Sequence, residues 1–174
     1  GFTYNAGESS MMYGYWTRVF KSGGYNLRNS VDLATFPDAS PKADDETVET
    51  LEFGMKTDFE KGRLNWAFFN TVVDDSQRMT NIQDPVSGVA QVVKNAGDIE
   101  YRGFEIDGVY TMTDTITMVA SLGYVHSKYK NLISDLTGDF IIDALDYALE
   151  VPRAAPLTYS LSLIHISEPT RPMN

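Results

Sequence analysis

Val48-Glu49-Thr50-Leu51-Glu52-Phe53-Gly54-Met55-Lys56-Thr57-Asp58-Phe59-Glu60-Lys61-Gly62-Arg63-Leu64-Asn65-Trp66-Ala67-Phe68-Phe69-Asn70-Thr71-Val72-Val73-Asp74 is the stretch whose reading decides the fold. Leu51, Phe53, Met55, Thr57 and Phe59 share one parity, and Glu52, Gly54, Lys56, Asp58 and Glu60 share the other. After the polar turn Glu60-Lys61-Gly62-Arg63 the alternation resumes. Leu64, Trp66, Phe68 and Val72 fall on one side, Asn65, Ala67 and Thr71 on the other. Period-two alternation puts apolar and polar residues on opposite faces of a strand. Two such runs joined by a tight turn predict an antiparallel hairpin. The run from Leu51 to Phe59 spans roughly 27 Å at ~3.3 Å per residue. Tilted by ~40°, it covers roughly 20 Å, close to the ~25 Å apolar band of an outer-membrane barrel. A soluble strand is usually only ~5–6 residues long. The charges Glu52, Lys56 and Asp58 suit an interior that is wet or filled by protein.

Composition narrows the function. The 174 residues carry a net charge of −10, which argues against a nucleic-acid partner because that needs a basic patch. With no cysteine, neither a disulfide framework nor a thiolate metal site is expected. Ten tyrosines and nine phenylalanines fit strands and aromatic girdles. No apolar run is long enough for a membrane-spanning helix. Gly1-Phe2-Thr3-Tyr4 already reads as strand rather than signal peptide, so the chain is expected to begin inside a longer protein.

The remaining segments repeat the hairpin pattern. Gly1–Asn5 reads as a strand, 6–10 as a turn and Met11–Phe20 as a second strand, for which we expect Tyr13, Tyr15 and Val19 on the apolar face. Residues 21–46 and 75–95 read as loops, with Gln91-Val92-Val93 a strand candidate inside the second. Phe104, Ile106 and Tyr110 then alternate with Gly103, Glu105 and Asp107. Past the turn at Thr111–Asp114, Ile116, Met118, Ala120, Leu122 and Tyr124 alternate with Thr117, Ser121 and Ser127. Residues 130–152 read as a third long loop, holding a helical turn between Asp139 and Leu149, and a last strand starts near Leu157. Connections thus alternate short and long, as in outer-membrane barrels. The expected fold is all-β: an antiparallel up-and-down meander of about seven or eight long strands, a partial segment of a transmembrane β-barrel. Its lipid-facing residues are expected to include Leu51, Phe53, Met55, Leu64, Trp66, Phe68, Phe104, Ile106, Met118 and Leu122.

Several motifs give this pattern a family. Lys21-Ser22-Gly23-Gly24-Tyr25-Asn26 resembles a stretch common in TonB-dependent outer-membrane receptors. Glu52-Phe53-Gly54-Met55-Lys56 resembles the family's E-x-G-x-K strand, with Gly62-Arg63-Leu64 and Ala67-Phe68-Phe69 as its next arm. Asn95-Ala96-Gly97 leading to Gly103-Phe104-Glu105 resembles its N-A-G…G-x-E strand. The order and spacing hold from Met11 to Ser160. One departure is Val19, where many members have glycine.

The resemblance implies a fragment from the C-terminal half of a barrel of about 22 strands, roughly a third of that barrel, plugged by an N-terminal domain. It implies an outer-membrane active transporter that takes up ferric siderophores or other large, scarce ligands using energy transmitted by TonB through the plug. The expected partners are outer-membrane lipid, the missing plug, TonB and a ligand that the sequence does not identify. The expected location is the bacterial outer membrane. No enzyme activity, cofactor or metal is expected. The resemblance also implies that Glu52 and Glu105 contact plug arginines inside the barrel, since a buried charge needs a partner. The acidic clusters Asp44-Asp45-Glu46 and Asp135/Asp139/Asp143/Asp146 lack EF-hand spacing and read as solvated loop. One histidine, His126, lies outside the C-terminal tail, and no Gly-x-Ser-x-Gly occurs, so a Ser-His-Asp hydrolase has little support. Trp66, Tyr101, Tyr110, Tyr124 and Tyr129 are candidates for aromatic belts. A passive porin segment and a soluble ligand-binding β-barrel or sandwich are the alternatives.

The C-terminus reads differently. Leu161-Ser162-Leu163-Ile164-His165-Ile166-Ser167-Glu168-Pro169-Thr170-Arg171 is similar to the conceptual translation of a transposase sequencing adapter. The expected division is 1–160 as receptor barrel and 161–174 as a non-native tail. Resequencing from an independent library that returns the same codons would make the tail genuine.

Overall fold

Alternating sequence builds a single-layered sheet. The computed structural model describes residues 1–26, 42–84, 88–137, 139 and 141–165. The strands in chain order are β1 (Phe2–Asn5), β2 (Ser10–Lys21), β3 (Gly24–Tyr25), β4 (Lys42–Ala43), β5 (Glu46–Phe59), β6 (Gly62–Asp74), β7 (Gln77–Asp84), β8 (Gly88–Asn95), β9 (Gly97–Thr113), β10 (Ile116–Leu132) and β11 (Leu157–His165). One helical turn, α1 (Ala144–Tyr147), lies between β10 and β11. Seven strands form one sheet in the order β1-β2-β5-β6-β9-β10-β11, and all six neighbouring pairs are antiparallel. This is the expected meander. The expected helical turn is α1.

The connections sort by end. β1/β2, β5/β6 and β9/β10 are joined by short turns at one edge. The three long connections leave from the opposite edge. The second of them is not plain loop: β7 and β8 pair from Gln77↔Asn95 to Asp84↔Gly88. Its arms mix polar and apolar residues on both parities, so period two is faint in the sequence, and only the pairing shows the hairpin. Residues 27–41 of the first loop, 85–87 of the second and 166–174 of the tail lie outside the described residues. β11 pairs with β10 from Tyr124↔Leu157 through Ile116↔His165, so one strand crosses the expected boundary at residue 160.

Register settles which residues share a face. Phe2, Gly14, Phe53, Phe68, Phe104, Tyr124 and Leu157 stand opposite one another in sequence across the sheet. Leu51, Met55, Leu64, Trp66, Ile106, Met118 and Leu122 have the same parity, so all ten residues expected on the apolar face lie on one face. Trp66 touches Phe53 at 5.7 Å and Phe68 at 5.5 Å, Phe68 touches Phe104 at 6.1 Å, and Phe104 touches Tyr124 at 5.8 Å. Each such contact contributes about 0.5–1.5 kcal/mol beyond area burial. Among the described residues nothing covers this face: Trp16 is 60%, Leu51 58% and Phe68 57% exposed.

The expected parity of β2 is reversed. Trp16 pairs with Leu51 and Met12 with Met55, while Tyr13 faces Gly54, Tyr15 faces Glu52 and Val19 faces Val48. Trp16 therefore joins the apolar face, and Tyr13, Tyr15 and Val19 turn to the other. β2 carries aromatics on both parities, so its own sequence does not choose. Pairing with β5, whose alternation is unambiguous, does. Arg18, on Trp16's parity, lies 3.3 Å from Glu49.

Among the described residues, packed core is confined to the long-loop end. Ile99, Tyr129, Leu132 and Val151 are buried together, flanked by Val73, Tyr101, Leu136 and Ala154. Two of the aromatic-belt candidates, Tyr101 and Tyr129, sit in this cluster on the polar-parity face rather than with Trp66, Tyr110 and Tyr124. The Arg78 guanidinium of β7 lies 5.4 Å from the Tyr129 ring centre.

Candidate functional site: the polar face and its rim

The motif Glu52-Phe53-Gly54-Met55-Lys56 has a physical explanation on the polar face. Alternation directs Glu52, Gly54 and Lys56 to one side of β5. The antiparallel register brings Tyr15 opposite Glu52 and Tyr13 opposite Gly54. Tyr13 Oη donates to Glu52 Oε1 at 2.9 Å, and Tyr15 Oη donates to Oε2 at 2.7 Å. The two rings stack at 6.4 Å with 10° between their planes. A Cβ on Gly54 would lie 2.6 Å from the Tyr13 ring, so glycine leaves the space in which that ring reaches Glu52. Lys56 Nζ lies 5.7 Å from the Tyr13 ring centre. The carboxylate is thus held by two hydroxyl donors, and its position is fixed.

Glu105 occupies the same face. It pairs with Ala67, which pairs with Gly54, so it stands two strands from Glu52, roughly 10 Å across the sheet. Glu105 is exposed. One step further, Asp107 Oδ2 accepts from Asn65 Nδ2 at 2.8 Å, and Asn65 Oδ1 is buried without a hydrogen-bond partner. Asp58 is paired with Arg63 at 2.5 Å. Among these residues the acids Glu52, Asp58, Glu105 and Asp107 outnumber the bases Lys56 and Arg63. The face is net negative and suited to a cationic surface.

The second motif, Asn95-Ala96-Gly97, ties the rim together. Asn95 Nδ2 donates to Asp75 O at 2.6 Å and to Asp44 O at 3.1 Å, while its Oδ1 accepts from Asp44 N at 2.7 Å. Ala96 N donates to Ser76 O at 2.9 Å, Ser76 N to Gly97 O at 2.8 Å and Ile133 N to Ala96 O at 3.0 Å. Asn26 exchanges two bonds with Val93, at 2.8 and 2.9 Å. One short motif therefore joins all three long connections.

The acidic loop residues are engaged by the chain. Lys42 pairs with Asp44. Asp45 accepts from Gly23 N at 2.6 Å and Glu46 from Gln77 N at 2.6 Å. Asp143 caps α1 through Leu145 N at 2.7 Å. The buried Asp146 accepts from Asp143 N at 3.0 Å, Leu136 N at 2.8 Å and Thr137 N at 2.9 Å. The Asp143 bond, aided by those from Leu136 and Thr137, holds the Asp146 carboxyl below its ordinary value against the opposing effect of burial. A depressed folded pKa contributes stability that is complete above the ordinary carboxylate pKa and is lost as pH falls through the folded value. Acidification below the carboxylate range should therefore loosen the 133–156 loop before the sheet. Limited proteolysis of the complete protein against pH checks this: Asp146→Asn should be cleaved in this loop at neutral pH, and equal resistance in both proteins would refute the role.

The sequence pattern of the TonB dependent receptor-like β-barrel family matches residues 1–169. The chain belongs to the TonB-dependent receptor β-barrel family. Its fold is similar to that of the ferric yersiniabactin uptake receptor FyuA from Yersinia pestis, with 15% identity and a TM-score of 0.67 over 97% of this chain and 22% of that one. It is also similar to the copper transporter OprC, with 20% identity and a TM-score of 0.56 over 75% of this chain and 20% of that one. The chain thus spans about a fifth of the length of these receptors. Alternation alone puts Glu52 and Glu105 on one face, as the register does, but it does not reveal the tyrosine pair that holds Glu52. The signal was Tyr13 and Tyr15 two residues apart, and it is readable only once β2 is in register with β5.

Proposed function

We propose that this chain is part of the wall of an outer-membrane active transporter for scarce nutrients, with its apolar face against lipid and its polar face against a plug domain. The observation that carries this reading is the sheet's two-sidedness. A continuous uncovered aromatic face backs onto a face of fixed carboxylates. Exposed apolar surface this large calls for an apolar partner, and barrel strands place lipid outside and polar groups inside. On this reading Glu52 and Glu105 receive cationic plug side chains, and TonB acts through the plug. The outer connections, joined by Asn95, form part of the ligand entrance, and the transported ligand is a ferric siderophore or another large molecule. Family membership supports transport rather than catalysis.

Glu52→Gln and Glu105→Gln in the complete receptor test this. Each should weaken plug retention by about 1–3 kcal/mol, the worth of a hydrogen bond to a charged group. Urea-induced plug release and TonB-dependent uptake are the measurements. Unchanged release and uptake in both variants would refute the role of the two carboxylates, whereas passage of solute that needs neither a plug nor TonB would favour a passive porin.

A further inference from the structure

Above the aromatic row, the apolar face changes character. On β9 and β10 it reads Tyr110/Met118, Gly108/Ala120, Ile106/Leu122 and Phe104/Tyr124, then Arg102/His126 and Glu100/Lys128. Phe104 and Glu100 are separated by roughly 13 Å along the strand, or roughly 10 Å along the normal of a barrel tilted by ~40°. Glu100 is buried, at 2% exposure, on the same parity as the exposed apolar row. Arg102 Nη2 lies 2.7 Å from it, Lys128 Nζ 3.2 Å and Lys130 Nζ 4.0 Å. Arg102 is held a second time, its Nε donating to Asn70 Oδ1 at 2.9 Å.

One carboxylate thus gathers three cations and neutralises one. The surplus positive charge stands out in a chain of net charge −10. The side chains of Arg102, Lys128 and Lys130 remain 62%, 49% and 46% exposed. Arg102 has five N–H donors, of which the two bonds described use two. Exposed donors and excess positive charge immediately above an apolar band coincide with the layer where lipid phosphates lie.

We propose that Arg102, Lys128 and Lys130 form a binding site for the phosphate of a lipid headgroup in the outer leaflet, with Glu100 beneath them neutralising one of the three charges. Glu100 does not touch the lipid. The site rests on the membrane-barrel reading given above.

The test uses the complete receptor in neutral detergent, with bound lipid counted by native mass spectrometry. The probes are dioleoyl phosphatidic acid, dioleoylglycerol and inorganic phosphate. Lys128→Gln combined with Lys130→Gln should weaken phosphatidic acid binding on the order of thirtyfold, from about 1 kcal/mol per lysine near an anionic surface. Dioleoylglycerol binding should be unchanged. Glu100→Gln keeps all three cations and should bind phosphatidic acid at least as well as the parent. Equal phosphatidic acid binding by the double variant and the parent overturns the site. So does inorganic phosphate binding as tightly as the lipid, or a Glu100→Gln variant that loses the lipid as the double variant does. A receptor that needs detergent but takes both lipids alike defeats this site alone. One that stays monodisperse without detergent and takes neither defeats the barrel reading as well.

Discussion

Arginine in place of Leu122 should destabilise the complete barrel by roughly 2–4 kcal/mol, whereas arginine at the adjacent Ser121 should change it by less than about 0.5 kcal/mol. Leu122 lies opposite Ile106 on one side and Tyr159 on the other, on the apolar face. A guanidinium there must leave water for hydrocarbon or bend toward the interface. Ser121 has the opposite parity and faces Asp107, so the new cation gains a cross-strand carboxylate. The two positions share strand, neighbourhood and substitution and differ only in face. Urea unfolding of the complete receptor in detergent micelles gives both values. Similar costs at the two sites would mean that the apolar face does not meet lipid.

Gly97→Ala should have the second largest effect, and it should be local. Gly97 has φ +125, and a Cβ there would lie 1.9 Å from the backbone oxygen of Asn131. The disallowed conformation and the overpacking each cost about 1–3 kcal/mol. Their sum exceeds what rim hydrogen bonds restore, so the chain should shift at this corner. Amide exchange at Ser76 and Ile133, which donate to Gly97 O and Ala96 O, should rise sharply. Amides at the short-turn end should keep their protection, because the sheet ladder there does not pass through Gly97. Unchanged exchange at both rim amides would show that the N-A-G corner is not the joint between the loops.

The reach of sequence reasoning varied with the strength of alternation. β5, β6, β9 and β10 each carry a clear apolar parity through their middle and short-turn ends, so their faces and turns are readable one strand at a time. β2 has aromatic residues on both parities, so only pairing with β5 orients Tyr13 and Tyr15. The β7–β8 hairpin has no dominant apolar face, so its sequence alone does not distinguish it from loop. Tyr101 and Tyr129 carry the composition of a belt but lie where the strands outrun the apolar band, beneath the folded-back 133–156 loop. β11 shows the opposite hazard. Leu157, Tyr159, Leu161 and Leu163 alternate with Thr158, Ser160 and Ser162, and a sheet edge accepts any segment with that period. Pairing across residue 160 therefore says nothing of the segment's origin.

Local sequence alone determined that this protein makes long two-faced strands in antiparallel succession, because side-chain alternation is a property of each strand by itself. It also named the family through short motifs. Tertiary structure alone decided that Glu52 is clasped by Tyr13 and Tyr15, that Asn95 joins three loops, and that Glu100 gathers Arg102, Lys128 and Lys130. Those contacts are set by register between strands, and register depends on all the pairings of the sheet at once.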